Sequence, residues 1–184
     1  MKQYSVEQFI DQFVFSDTKD IMQNNPYQAF ALISFGIEIL GKCFYKGPWD
    51  KHVQSEDCFN RAIKSCQSLG KYSRFDIVVP SKSKCFLCRK NKTTNELYRF
   101  LRCGMAHSLK PSGQLTLVPD NNDFDNHVIG CNDLYDDCLI AWRDIKNGKT
   151  RIKKNLTELI YYVDDAVSGN TPTIVTKVAQ SRSI

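Results

Sequence analysis

The stretch AFALISFGIEILG, residues 29–41, is the most apolar part of a chain of 184 residues. Apolar side chains at helical spacing predict a helix over residues 26–45, and Pro26 suits its first turn. KGPWD, residues 46–50, ends it. The apolar run is too short to span a bilayer and contains Glu38. We therefore expect the central helix of a protein core, and no membrane segment.

Helical periodicity on both sides of this segment predicts an all-α fold. Connections between the expected helices are short, which favours an antiparallel helical bundle of about six helices. Ser5 and Thr94 are the expected N-caps of two of them. DIVV, residues 76–79, is either a short strand or a remnant of a helix. The expected helices cover residues 5–22, 26–45, 54–69, 95–107, 132–148 and 150–169.

One part of the chain departs from the helical period. GQLTLV and NHVIG flank the turn-forming residues PDNND, which predicts a small β-hairpin inserted at about residues 114–130. The remainder reads as a single helical domain over residues 1–168. Residues 169–184 are polar and are predicted to form a loose C-terminal tail.

Composition and charge are those of an ordinary globular protein. The chain is 42% apolar and 24% charged, with a formal net charge of +5, which permits a polyanionic partner. The first residues, MKQYSVEQFIDQFVF, lack the basic start and unbroken apolar core of a signal peptide. We expect a cytoplasmic protein, in which the eight cysteines are reduced thiols.

The stretch YRFLRCGMAHSLKP, residues 98–111, places Arg102 and His107 in one predicted helix with Gly104 between them. In an α-helix, side chains five residues apart point about 140° apart. Either the helix ends or loosens before His107, or the two side chains meet in a cleft shared with a second copy. The helix dipole favours protonated His107 and Arg102 opposes it, which keeps the imidazole near the range of an acid–base catalyst. The alternative is a surface arginine and a helix-end histidine without function.

The Arg102–x4–His107 pattern, RCGMAH, resembles the arginine–four-to-six–histidine motif of the HEPN superfamily (higher eukaryotes and prokaryotes nucleotide-binding). ELYRFLRCGMAHSL is similar to the last core helix of that family. AFALISFGIEILGKCF is similar to an early bundle helix in which a glutamate stands among apolar residues. The resemblance covers about residues 5–165, and Cys103 stands where active members often carry a polar residue.

The resemblance implies a dimeric helical bundle that cleaves RNA as a metal-independent endoribonuclease of the toxin or defence type. His107 would move a proton at the ribose 2′-hydroxyl or the leaving oxygen, and Arg102 would stabilise the phosphate charge. RNA supplies its own nucleophile, so no metal and no cofactor is expected. The partners that the resemblance implies are RNA, a second copy and a neutralising protein. The alternative is a non-catalytic helical bundle that serves as an interaction or nucleic-acid-binding module.

Glu38 is the one acidic residue of residues 28–45. A buried carboxylate needs a partner, and the sequence offers two interpretations of which partner Glu38 has. Glu38 pairs with Lys42 at helical i,i+4 spacing, or it faces the motif cleft, bonds Arg102 and is a third catalytic-site residue.

The run SKSKCFLCRKNK, residues 81–92, is basic and carries Phe86 among its charges. Such a run can contact RNA phosphates and stack a base, or it can be a solvated loop. Cys85 and Cys88 have the spacing of half a zinc site, but no second pair follows at finger spacing, so no metal is predicted. The predicted RNA-binding residues are Lys84, Arg89, Lys90 and Lys92.

Overall fold

The computed structural model describes residues 2–49, 51–79, 92–105 and 115–162. Within these ranges the chain is mainly helical and carries three small two-stranded sheets. The predicted tail at residues 169–184 lies outside them. None of the helices described in these ranges combines the length and the apolar character needed to cross a membrane.

The regular elements follow one another in this order along the chain. The α-helices are α1 (Val6–Phe9), α2 (Asp17–Asn24), α3 (Pro26–Lys42), α4 (Ser55–Ser65) and α5 (Cys131–Lys146). Ile10–Ser16 and Tyr98–Met105 are π-helical, and Gly70–Phe75 is a 3-10 helix. The strands are β1 (Lys2–Ser5), β2 (Asp76–Val79), β3 (Lys92–Asn95), β4 (Thr116–Val118), β5 (Val128–Gly130) and β6 (Leu159–Tyr162).

Helix α3 lies at the centre, as the sequence predicts. It contacts α2, α4, α5 and the π-helical segment Tyr98–Met105. Phe30, Ile37 and Leu40 are completely buried, because an apolar helix surrounded by others removes its side chains from water. Asn25 caps the helix: its side-chain Oδ1 accepts a hydrogen bond from the backbone N–H of Gln28 at 3.1 Å.

Helices α3 and α4 cross with almost no space between their backbones. A Cβ atom placed on Gly41 would lie 1.7 Å from the carbonyl oxygen of Cys58, which is a severe overlap. Glycine is therefore required at this position of α3. The side of α4 that faces the core carries Phe59, Ala62 and Ile63, all completely or almost completely buried.

The first predicted helix is confirmed as a continuous helical stretch over residues 6–24. Ser5 caps it in a capping box, since its Oγ accepts from the N–H of Gln8 while the Gln8 side chain accepts from the N–H of Ser5. The middle of the stretch is π-helical, and strand β1, just before it, is an element that the sequence did not predict.

Helix α5 is held by polar contacts at two places. The indole Nε1 of Trp142 donates to Asp11 Oδ1 at 2.6 Å. The Tyr72 hydroxyl donates to Asp137 Oδ2 at 2.7 Å, and Lys71 lies 2.7 Å from the same oxygen. Burial, followed by the neighbouring Asp137 carboxylate, raises the pKa of the Tyr72 phenol far above its ordinary value. Tyr72 therefore stays a hydrogen-bond donor to α5.

The hairpin predicted at residues 114–130 is wrong. Strands β4 and β5 do pair, but they run parallel, with Leu117 opposite Ile129. The connection of residues 119–127 reverses the chain twice, and Asn121 and His127 adopt the left-handed region with φ of 63° and 57°. The Asn122 side chain accepts from the N–H of Gly130 at 2.9 Å. These local contacts return the chain to the start of the first strand, so the second strand leaves in the same direction.

The helix predicted over residues 150–169 is also wrong where the structure describes it. Residues 151–158 are irregular, and β6 pairs antiparallel with β1, with Lys2 opposite Tyr162. The N–H groups of Lys153 and Lys154 both donate to the carbonyl of Cys43, just after α3. These contacts with distant residues satisfy backbone groups that a local helix would otherwise pair.

The strand interpretation of DIVV is confirmed, because these residues form β2 and pair antiparallel with β3. The predicted cap, Thr94, lies inside β3 with a buried side chain. Asn95 takes the capping position, and its side-chain oxygen accepts from the N–H of Leu97 at 2.9 Å. Its amide nitrogen also donates to the carbonyl of Tyr72 and to Asp76, both at 2.8 Å.

We predict that Gly41→Ala lowers the free energy of unfolding by about 3 kcal/mol or more, because the added methyl overlaps a backbone that cannot move aside cheaply. Gly70→Ala is the matched control, since a Cβ there meets nothing within 4 Å. Urea unfolding followed by circular dichroism measures both. Equal stability of the two variants would contradict the close crossing.

Candidate functional site

A polar cluster lies where α3, α4 and the segment Tyr98–Met105 meet. The two carboxylate oxygens of Glu38 have different partners. Oε1 accepts a hydrogen bond from Ser55 Oγ at 2.7 Å, and Oε2 accepts from Arg102 Nε at 2.9 Å. The Glu38 side chain is 17% exposed and that of Arg102 is 27% exposed. We call Glu38, Ser55, Arg102 and the adjoining Phe35 the Glu38 cluster.

Local sequence explains how each element brings its side chain to the cluster. Leu97 and Leu101 are completely buried and anchor the Arg102 segment in the core, which directs the next residue toward α3. Ser55 is the first residue of α4, where its hydroxyl is free to bind a side chain of another helix. Glu38 lies one turn before Gly41, the residue of closest approach between α3 and α4.

Two contacts fix the direction of the Arg102 guanidinium. Its Nε–H binds Glu38, and its Cζ lies 5.8 Å from the ring centroid of Phe35, within the range of a cation–π contact. Arginine has five N–H donors in a planar fork. Among the residues that the structure describes, the hydrogen bond from Nε is the one that Arg102 makes. Within the described part of the chain, the ion pair with Glu38 thus uses Nε and leaves both Nη groups without an acceptor.

The two interpretations of Glu38 are distinguished by this geometry. In the described part of the structure its ion-pair partner is Arg102. The ammonium group of Lys42 instead lies 6.0 Å from the ring centroid of Trp49. Spacing along one helix predicts Lys42, but the tertiary contact with Arg102 is the one formed.

The other predicted site residues are placed only in part. His107, Lys84, Arg89 and Lys90 lie outside the described residues. Lys92 begins β3, opposite Val79 of β2. The structure thus brings Glu38 and Arg102 together, and the roles of all seven residues in catalysis or RNA binding stay predictions.

Sequence reasoning missed Ser55 and Phe35. Phe35 precedes Glu38 by three residues, so both project from the same side of α3, and this spacing could have indicated the contact. Ser55 gave a weaker signal, because a serine at the start of a helix usually caps its own backbone.

The segment that carries Arg102 is π-helical from Tyr98 to Met105. A π-helix forms hydrogen bonds from residue i to i+5 and is often found at functional sites. Residues five apart within Tyr98–Met105 then follow each other along one side of the helix, whereas His107, five residues after Arg102 in the sequence, lies outside the described residues. The separation of about 140° expected for an α-helix therefore does not apply along Tyr98–Met105.

Five cysteines whose side chains the structure describes are buried free thiols: Cys43, Cys58, Cys66, Cys131 and Cys138. Burial raises the pKa of Cys43 and Cys66 to about 12 and that of Cys58 to about 11, because a thiolate loses its hydration there. Cys85 and Cys88 lie outside the described residues. Within the ranges given above, no three His, Cys, Asp or Glu side chains are grouped to hold a metal ion.

In comparisons with known proteins, no protein-family model matches the chain, and no curated protein or solved structure is significantly similar to it. The resemblance to HEPN proteins rests on the sequence motif alone. The Glu38 cluster is therefore the structural feature that bears on the function.

We predict that Glu38 and Arg102 are energetically coupled. Arg102→Met leaves a half-buried carboxylate with one partner fewer and costs about 1–3 kcal/mol of unfolding free energy. In a protein that already carries Glu38→Gln, Arg102→Met should lower the free energy of unfolding by less, and the difference is a coupling energy of about 0.5–3 kcal/mol. A double-mutant cycle from urea unfolding measures this. Lys42→Met is the control, and equal coupling of Lys42 to Glu38 would contradict the observed pairing.

We also predict that the five described thiols resist alkylation in the native protein. Burial raises the pKa to about 11 for Cys58 and to about 12 for Cys43, Cys66 and Cys131, and it raises the pKa of Cys138 well above its ordinary value. The reactive thiolate is therefore scarce at pH 8.5. Iodoacetamide labelling followed by peptide mass spectrometry should find them unmodified, and modified after unfolding in urea. Rapid native labelling of these cysteines would show that they are not buried.

Proposed function

We propose that this protein is a HEPN-like, RNA-directed helical bundle that acts as a dimeric, metal-independent endoribonuclease through Arg102, His107 and Glu38. The observation that carries the proposal is the hydrogen bond from Arg102 Nε to Glu38 at 2.9 Å. This bond orients the guanidinium and leaves its Nη donors for a phosphate, whose oxygens match the planar fork of arginine.

The proposed reaction needs no nucleophile from the protein. The ribose 2′-oxygen attacks the adjacent phosphorus, and the bond from phosphorus to the 5′-oxygen of the next nucleotide breaks. His107 takes the proton of the 2′-hydroxyl or supplies one to the leaving oxygen. Arg102 stabilises the negative charge that builds up on the phosphate oxygens. The products are a 2′,3′-cyclic phosphate and a 5′-hydroxyl.

Glu38 acts as a positioning residue in this mechanism. An arginine on the surface samples many rotamers, and fixing it in advance lowers the entropic cost of binding the phosphate. Ser55 holds the second oxygen of the carboxylate at 2.7 Å and limits the rotation of Glu38. The basic residues Lys84, Arg89, Lys90 and Lys92 would attract RNA to the site, in keeping with the net charge of +5.

The same contacts support a second function. The Glu38 carboxylate neutralises Arg102, and the pair joins α3, α4 and the Arg102 segment, which is what a purely structural ion pair does. The protein would then be a non-catalytic bundle that binds RNA or another protein. Loss of Arg102 would lower stability without any change in RNA cleavage.

We expect the purified protein to cleave total cellular RNA in EDTA. Arg102→Ala should lower the cleavage rate by about 100- to 1,000-fold, because it removes a charge that stabilises the transition state. His107→Ala should lower it by about 100- to 10,000-fold. Gel electrophoresis measures the rate, and mass spectrometry of the fragments identifies 2′,3′-cyclic phosphate ends.

Arg151→Ala and His52→Ala are matched controls at exposed positions and should retain the wild-type rate. Intact RNA after incubation with folded wild-type protein would favour the non-catalytic bundle. The proposed mechanism would be refuted if cleavage required a divalent cation. It would also be refuted if both control variants lost their activity.

A further inference from the structure

We propose that Phe35 is a base-stacking residue and that the substrate of the site is single-stranded RNA with an accessible base. This inference rests on the proposed function, because it assumes that Arg102 binds an RNA phosphate. It adds a specificity-determining residue and a class of RNA.

The first observation is the exposure of Phe35. Phe35 is 40% exposed, whereas Phe30, Ile33 and Ile37 of the same helix are 0–3% exposed. Leaving a phenylalanine ring in water forgoes the free energy that its burial would provide. The exposed part of the ring is a flat apolar surface beside a polar cluster.

The second observation is the distance from this ring to the charge. The Cζ of Arg102 lies 5.8 Å from the ring centroid of Phe35, and Glu38 fixes the guanidinium from its Nε side. A single nucleotide can therefore place its phosphate on the Nη groups and its base against the ring. The Arg102 guanidinium, which comes from the segment Tyr98–Met105, already lies beside the Phe35 ring of α3, so no rearrangement of helices is needed.

The combination of an aromatic ring and a fixed arginine selects unpaired bases. In an A-form duplex each base is stacked between its neighbours, and its face is not accessible to a protein side chain. In a single strand or loop the base can turn outward and stack on an aromatic ring, whatever its sequence. The geometry thus favours single strands and gives little discrimination between bases.

The same helix offers a matched control. Tyr27 is an aromatic residue of α3 with an even larger exposed fraction, 55%. In the described structure it makes no ring contact with Arg102, in contrast to Phe35. Replacing Tyr27 removes an exposed aromatic ring from α3, whereas replacing Phe35 removes the ring beside Arg102, so the two effects can be distinguished.

The test is a binding experiment with RNA that cannot be cleaved. A fully 2′-O-methylated ten-nucleotide strand lacks the nucleophile, and a 2-aminopurine at one position reports stacking through its fluorescence. The same strand annealed to its complement provides the duplex. Fluorescence titrations in EDTA give the Kd of each form for wild-type protein, Phe35→Ala, Phe35→Trp, Tyr27→Ala and Arg102→Ala.

We expect Phe35→Ala to weaken single-strand binding by about 5- to 100-fold and to abolish the stacking signal of 2-aminopurine. Phe35→Trp should retain both, and Tyr27→Ala should resemble wild type. The duplex should bind more weakly, with a Kd that does not respond to Phe35→Ala. Circular dichroism checks that each variant is folded.

The outcomes separate this inference from the proposed function. Single-strand binding that Arg102→Ala weakens and Phe35→Ala leaves unchanged would overturn the role of Phe35 while RNA binding at the site stands. Equal affinity for strand and duplex would overturn the substrate class. If folded wild-type protein binds neither form, the proposed function fails, and the role of Phe35 fails with it.

Discussion

The close crossing of α3 and α4 is the constraint on which the rest of the structure depends. Gly41 leaves room for the carbonyl of Cys58, so the two helix backbones approach without a side chain between them. Glu38 and Ser55 each stand three residues before these contact residues. The short distance between the helices therefore puts the Ser55 hydroxyl within hydrogen-bond distance of the carboxylate. A bulkier residue in place of Gly41 would push α3 and α4 apart, and this would disrupt both the packing of the core and the Glu38 cluster.

A carboxylate inside an apolar helix has to find partners, and this requirement connects the core to the candidate site. Ser55 and Arg102 supply them from two other elements, so one side chain both completes the packing and orients an arginine. The guanidinium keeps donors that the carboxylate does not use. A structural role and a binding role are thus compatible in one ion pair, since they employ different nitrogen atoms. The Phe35 ring adds an apolar face beside the guanidinium.

The sequence predicts best those features that depend on near neighbours in the chain. The helices at residues 6–24, 26–42 and 131–146 follow from local periodicity, and the first two also carry side-chain caps, Ser5 and Asn25. The pairing of Glu38 could be anticipated only as one of two interpretations, because i,i+4 spacing indicates Lys42 whereas the contact with Arg102 requires the tertiary fold. The predicted helix at residues 150–169 failed because β6 pairs with β1 at the other end of the described chain. The predicted hairpin failed because a turn residue, Asn122, binds the N–H of Gly130 in the second strand, and the connection brings β5 alongside β4 in the same direction.

The pairing of β1 with β6 has a consequence for how the protein acquires its fold. Lys2 to Ser5 leave the ribosome well before Leu159 to Tyr162, so the backbone groups of β1 cannot pair until the later strand has been made. Closing so long a loop costs chain entropy that nearby helical contacts do not incur. Helices α1 to α4 can therefore associate early during synthesis, while the two-stranded sheet that joins the outermost described residues closes last. The nascent chain exposes β1 unpaired until β6 has been made, and a chaperone or a second chain can bind that strand edge during this interval.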